Sequence, residues 1–280
     1  MISTPRDRLA DGLTYGAMLA IAAFFLLPLL WLLSLAVRTR REIFRGASRF
    51  IPNDPTLENF RTILSGAEFP TYLWNGLLIS AVAGFGCLLV AAPAAYAFSR
   101  LKVPARGLLL MGILAFQMVS PLVIMVPLYR YMNRLGLIDT HLGVILVYIA
   151  INLPMCTWLL KGSIDAIPKE VEEAAAMDGC SRFGIFWRIT LPLAAPGLAS
   201  VFILAVIFGW SQFLVPFLLL TENSLLPVAV GIFKYAGSQN ASTTQLLAAA
   251  CLVAVAPAIV AFLVLQRLIV GAITAGAVKG

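Results

Sequence analysis

Residues 172–192 read EEAAAMDGCSRFGIFWRITLP. The stretch sets Glu172, Glu173, Asp178, Arg182 and Arg188 into a chain that is 61% hydrophobic, yet it keeps an apolar stripe of its own. Upstream, Pro168 suits the first turn of a helix, and the acids Glu170, Glu172 and Glu173 favour that helix's N-terminal end. Gly179 can end it in a left-handed cap. Ser181 can then cap a second helix that runs through Phe183, Phe186, Trp187 and Ile189 and stops at Pro192, its apolar residues spaced i, i+3, i+4 along one side. Two short helices meeting at a glycine hinge are predicted.

Outside that segment the chain is built for lipid. Its 280 residues have a mean hydropathy of +0.94 and only 12% charged residues, more apolar surface than a soluble domain of this size can bury. Six apolar stretches, at 14–37, 73–98, 107–129, 142–160, 198–220 and 246–265, contain no Asp, Glu, Lys, Arg or His. Each is long enough to cross a hydrocarbon core of about 30 Å as a helix. An all-α membrane protein with six transmembrane helices in one domain over 1–280 is the expectation. The first stretch is too long for the core of a cleaved signal peptide and reads as an uncleaved anchor. Every stretch holds proline, at Pro28, Pro93, Pro121, Pro127, Pro154, Pro216 and Pro257. These read either as ordinary kinks or as marks of a moving, cavity-lining helix.

Charge does not orient the chain. With the N-terminus inside, 11 of the 20 basic residues fall on the cytoplasmic side and nine outside, too even for the positive-inside rule. Arg38, Arg40, Arg41, Arg45, Arg49 and Arg61 crowd the first loop. If that loop is external, it defies the usual bias.

Several chemistries are disfavoured. Pumps and carriers driven by protons or sodium keep ionisable residues at membrane depth, and this chain has none there. It lacks the G-x-x-x-x-G-K-[ST] phosphate loop, so if it transports actively another subunit must supply the work. Cys87, Cys156, Cys180 and Cys251 have no C-x-x-C spacing and His141 stands alone, which predicts no disulfide, no metal and no redox chemistry. No H-E-x-x-H occurs and no Ser-His pair can be built within the spans, which argues against an intramembrane enzyme. A self-sufficient carrier or channel is the rival reading.

The segment at 172–192 has two readings of its own. A helix lying on the membrane surface usually meets anionic lipid with Lys and Arg, whereas four acids lie between Glu170 and Asp178. Ala174, Ala175 and Ala176 give a surface with almost no bulk, over which a groove of another protein can close. Docking on a protein is favoured over lipid.

The spacing here is also that of a known signature. Glu173-Ala174-Ala175, three residues, Gly179, nine residues and Ile189-Thr190-Leu191-Pro192 reproduce EAA-x3-G-x9-I-x-LP, and the chain resembles the permeases of ABC importers that carry it. Further blocks, Pro55 to Phe60 (PTLENF), Ala95 to Arg100 (AYAFSR), Leu135 to Thr140 (LGLIDT), Ile167 to Glu173 and the ending Gln266-Arg267 with Thr274 to Gly280, are similar to the carbohydrate-uptake branch, close to the second permease subunit of maltose-type importers.

The resemblance implies a type I importer permease fold whose loop 161–196 is a cytoplasmic coupling helix. It implies that Glu173, Ala174, Ala175, Asp178, Gly179, Ile189, Leu191 and Pro192 meet an ATP-hydrolysing subunit, with the tail residues Gly276, Lys279 and Gly280 at the same interface. The implied partners are a homologous second permease, two ATP-binding subunits that hold ATP and magnesium, an extracytoplasmic solute-binding protein and membrane lipid, with no nucleic acid. This chain would hold no cofactor and would lie in a bacterial or archaeal cytoplasmic membrane, crossing it several times with both termini in the cytoplasm. The arginine-rich first loop then faces outward, toward the solute-binding protein, and the charge count does not explain it.

One departure stands out. Where the family commonly reads W-N-E-F, this chain has Trp210-Ser211-Gln212-Phe213, an amide in place of a carboxylate. Gln212, with Trp210, Ser211, Gln117, Ser120 and Asn152, is a neutral polar group at membrane depth, fit either to line the path of an uncharged polyhydroxylated solute or to bond helix to helix. Within the importer class, a glycerol-phosphate ester or an oligopeptide is the alternative cargo.

Overall fold

The computed structural model describes residues 5–45, 49–236 and 244–277, and among them it has helices and turns but no strand. Four helices are long and apolar enough to cross a membrane: Asp11–Ala36, Glu68–Arg100, His141–Asp165 and Thr244–Leu263. Two bent pairs raise the number to six if each pair is one span. The first pair, Arg106–Met118 and Pro121–Arg134, bends by 92°; the second, Arg182–Leu193 and Ala195–Ser211, bends by 74°.

Two of the six expected spans are therefore not the continuous helices that composition suggested. The stretch at 107–129 breaks at Val119 and Ser120, both of which leave helical geometry. Pro121 explains this: it disfavours the helical region for the residue before it, and it lacks the N–H that would continue the ladder. The stretch at 198–220 stays helical to Ser211, extends at Gln212 and resumes as the short Leu214–Leu219 helix. Pro216 cannot donate to the Gln212 carbonyl four residues back, and its ring would clash there. That freed carbonyl instead accepts the hydroxyl of Tyr148 at 3.3 Å.

The chain divides into two compact units, Met1–Ala67 with Ile232–Val253, and Glu68–Gly231 with Ala254–Gly280. In the first, the long N-terminal helix leaves nearly its whole apolar length exposed, as a lipid-facing or partner-facing helix would. Its C-terminal end is closed by the PTLENF block. The Thr56 N–H donates to the Val37 carbonyl at 2.7 Å, and buried Asn59 donates to the carbonyls of Ala36 and Arg38 at 2.7 and 2.8 Å. A helix end leaves such carbonyls without partners, so one amide supplies two of them.

In the second unit the Glu68–Arg100 helix packs against both His141–Asp165 and Ala195–Ser211. Cys87, Ala91, Leu160, Ile164, Val201 and Ala205 lie in this buried core. Small residues let the helices close up, as is usual where lipid gives no hydrophobic drive to association. At Gly209 an added Cβ would stand 3.1 Å from the Ser80 side chain, closer than ordinary packing allows.

Candidate functional site

The 172–192 segment folds as two helices around a glycine. Lys169–Met177 starts after Pro168, which sits at the N-cap, with Glu170 and Glu172 in the first turn where the helix dipole favours acids. It ends at Asp178. The N–H of Gly179 bonds the Ala176 carbonyl and that of Cys180 the Ala175 carbonyl, both at about 3 Å, with Gly179 at φ +86°. This reciprocal pair closes a helix through a left-handed residue, and glycine takes that conformation without a Cβ clash.

The second helix begins as expected, with the Ser181 hydroxyl accepting the Gly184 N–H at 3.2 Å. It does not stop at Pro192. After Arg182–Ile185 the chain widens over Phe186–Thr190, so that the Leu191 N–H reaches back to the Phe186 carbonyl, and it continues through Leu193. Pro192 has no N–H for the Arg188 carbonyl, and the wider turn accommodates the missing bond.

The two adjacent glutamates part company. Glu173 is exposed, as are Ala174, Asp178, Gly179 and Pro192; Ile189 and Leu191 are half-buried. Glu172 and Ala175 turn inward together, three residues apart on one helix face. Ala175 therefore belongs to the packing side and not to an exposed alanine surface.

Buried Glu172 meets Arg100, the last residue of the Glu68–Arg100 helix. Arg100 Nε lies 3.0 Å from each carboxylate oxygen, and Nη2 donates to the carbonyls of Ile164 and Ile167 at 2.9 and 2.7 Å. Thr190, fully buried, donates its hydroxyl to Glu172 Oε1 at 3.0 Å. Beside them the Ser99 hydroxyl bonds Asp165, which also pairs with Lys161. The Arg100 guanidinium thus joins two long helices to the first half of the hinged segment, and Thr190 ties the second half to the same Glu172 carboxylate. Tyr96 adds an aromatic contact to Phe186, with ring centroids 5.0 Å apart.

The outer side is open. A concavity of about 610 Å³ is lined by Asp178, Gly179, Cys180, Ser181, Phe183 and Trp187, among others. Met177 is 89% exposed, Phe183 73% and Trp187 52%. Large exposed apolar side chains thus stand beside charges on this side of the segment.

The neutral polar residues at membrane depth are used in part for packing. Trp210 Nε1 donates to the Ala254 carbonyl at 3.0 Å and Ser211 to the Phe208 carbonyl at 3.1 Å. Asn152 donates to the Tyr148 carbonyl at 2.9 Å, and Gln117 to the Ile151 carbonyl at 3.4 Å. Asn152 thus bonds the backbone of its own helix, while the Tyr148 hydroxyl reaches the Gln212 carbonyl. Gly276 lies in the helix that ends at Ala277; Lys279 and Gly280 lie outside the described residues.

At the LGLIDT block, Asp139 holds a second long-range joint. Its carboxylate accepts the Thr221 N–H at 2.5 Å, the Thr221 hydroxyl at 2.7 Å and the Glu222 N–H at 3.2 Å, while its own N–H donates to the Leu219 carbonyl. The Thr221 N–H above all, then the Thr221 hydroxyl, holds the Asp139 carboxyl below its ordinary range.

From the sequence, Glu172 was read only as a helix-start acid and Arg100, Thr190 and Asp139 only as members of matching blocks; their contacts, and Tyr148 altogether, were not foreseen. The available signal was slight: a lone arginine closing an apolar span, and a glutamate three residues before a small residue that packs inward.

Comparison with known proteins gives the family of the chain. Residues 88–274 match the family described as binding-protein-dependent transport system inner membrane component. The trehalose transport system permease protein SugB of Mycobacterium tuberculosis is 35% identical over 270 residues, covering 95% of this chain and 98% of its own. The maltose/maltodextrin transport system permease protein MalG of Salmonella typhimurium is 32% identical, covering 100% and 99%. In fold, the chain is similar to a subunit in the crystal structure of a bacterial ABC transporter involved in import of the acidic polysaccharide alginate, with a TM-score of 0.80, 23% identity and coverage of 95% and 99%. The chain belongs to this permease family, and it is a multi-pass inner-membrane component of a binding-protein-dependent transport system.

Proposed function

We propose that this chain is a permease subunit of an ATP-driven importer of a sugar or related carbohydrate, forming half of the solute path with a homologous second permease. Its 172–192 segment is the coupling element, seated in a cleft of a separate ATPase subunit that holds the ATP and magnesium. Both termini and the 161–196 loop are cytoplasmic, and an extracytoplasmic binding protein delivers the solute. Glu173, Ala174, Asp178 and Gly179 face the ATPase, while Ile189, Leu191 and Pro192 hold the second helix at its angle. The carbohydrate cargo rests on the trehalose and maltose systems of the relatives and on the neutral donors Gln117, Asn152 and Gln212.

The observation that carries the reading is the two-sided segment. One side is exposed, apolar and concave; the other is bound by Arg100 and Thr190 to the long helices. A segment that only lay on lipid would have no use for such a joint. A force applied to the exposed side passes through the Arg100–Glu172 pair to the Glu68–Arg100 and His141–Asp165 helices.

The test is to purify the complex with its co-encoded subunits and screen sugars for stimulation of ATP hydrolysis in the presence of the binding protein. Stimulation by one sugar or a narrow set is expected. Stimulation by peptides or glycerol-phosphate esters alone would reassign the cargo, and transport by this chain alone in liposomes would overturn the division of labour.

A further inference from the structure

The arginine-rich loop after the first helix lies outside the coupling segment proposed above. The apolar span ends at Ala36, and its 26 residues reach further than the hydrocarbon core of about 30 Å. The residues that follow therefore begin in the headgroup layer. There the chain forms a concavity of about 740 Å³ lined by Arg38, Arg40, Arg41, Arg45 and Arg49, against the carboxylates Glu42 and Asp54.

Arg38 is its floor. It is 1% exposed, pairs with Glu42 at 3.2 Å, donates to Ser34 at 3.1 Å and to the Arg49 carbonyl, and lies over the Trp31 ring. Two buried atoms here have no hydrogen-bond partner among the described residues, Arg38 Nε and Glu42 Oε2. The other four arginines are exposed. Arg40 stacks on Phe44, and Arg41, Arg45 and Arg49 form no salt bridge among the described residues. Phe44, Phe50 and Ile51 stand exposed beside them at 59%, 46% and 76%.

The site therefore combines an excess of planar guanidinium donors with apolar neighbours at the edge of a membrane helix. Guanidinium forks match phosphate oxygens two at a time. Exposed aromatic and aliphatic side chains at that depth suit acyl chains and glycerol backbones. An acidic protein surface would satisfy the arginines but would leave the apolar rim without a partner.

We propose that this concavity binds the headgroup phosphate of an anionic phospholipid, with Phe44, Phe50 and Ile51 against its tails. The proposal is independent of cargo and of the coupling segment, and it gives a use to the basic loop that the charge count left unexplained.

The test uses the full-length chain in nanodiscs of phosphatidylcholine with a minor fraction of phosphatidylglycerol, followed by native mass spectrometry of retained lipid. Wild type should retain phosphatidylglycerol in preference to phosphatidylcholine. Replacing Arg41, Arg45 and Arg49 together by Gln should abolish the preference, and each single substitution should weaken it roughly fivefold, as expected for one basic residue at a membrane surface. A charge-matched control with Arg61, Arg130 and Arg134 replaced by Gln should keep it. Equal retention by wild type and the site variant overturns the proposal, as does equal loss in the control, which would make the effect one of net charge. If the site variant keeps its lipid but loses association with the binding protein, the surface belongs to a protein partner and the proposal fails.

Discussion

Glu172 and Glu173 are neighbours in sequence with opposite duties, and substitution should separate them. Removing one member of the buried Arg100–Glu172 pair leaves the other uncompensated, a loss of about 3–5 kcal/mol for pairs of this kind. Glu172→Ala and Arg100→Ala should each lower the thermal stability of the purified chain markedly. The double variant should lose less than the sum, because the residues share one interaction. Strict additivity in that cycle would mean that they act independently. Glu173→Lys, at an exposed site, should leave stability unchanged and instead weaken retention of the ATPase subunit in a pull-down. At Asp139 the expectation is an acid step. Its folded-state pKa lies below the ordinary carboxylate value of about 3.9, so its stabilisation is present above that value and is lost as pH falls through the depressed pKa. Cleavage within 217–226 by pepsin should therefore rise on acidification below roughly pH 4 in the wild type. In Asp139→Asn that acid-dependent step should be missing.

At the scale of elements, the hinge is the most exposed to test. Gly179 at φ +86° has open space around it, so a larger residue meets no neighbour there and the cost is conformational alone, about 1 kcal/mol or more. Gly179→Val should keep membrane insertion, lose much of the bound ATPase and abolish transport. Gly179→Asn, which tolerates the left-handed region better, should fall between wild type and Val. Normal ATPase retention and transport in both Gly179→Val and Glu173→Lys would remove this segment as the coupling element. The bend at Val119 and Ser120 and the extension at Gln212 follow from proline chemistry. What happens at each depends on whether a neighbour replaces the missing bond: Tyr148 does so at Gln212.

For the whole molecule, the long-range joints coincide with the blocks that carried the family resemblance. Asn59 of PTLENF closes the first helix, Ser99 of AYAFSR bonds Asp165 while its Arg100 holds the hinged segment, and Asp139 of LGLIDT grips Thr221 and Glu222. Each joins segments distant in sequence with a single polar side chain, as suits a bundle whose faces are too apolar to select one arrangement by hydrophobicity. The chain has no phosphate loop of its own. Purified free of its partners, it should hydrolyse no ATP; measurable turnover that survives removal of contaminating ATPase would refute the assignment of hydrolysis to another subunit.

The membrane character, the number of apolar stretches and the glycine hinge of 172–192 were legible from composition, spacing and local propensity. These depend on residues within a few turns of one another, where periodicity and cap chemistry act. Tertiary structure alone decided that Glu172 and Ala175 turn inward while Glu173 stays out, and that the second helix widens and runs past Pro192. It also decided that Tyr148 receives the carbonyl Pro216 leaves free. The reason is physical: Arg100 and Glu172 stand 72 positions apart, and Tyr148 and Gln212 stand 64 apart. A charge has no preferred partner until packing removes water from around it. Only then does the nearest complementary group determine which of two adjacent glutamates is buried.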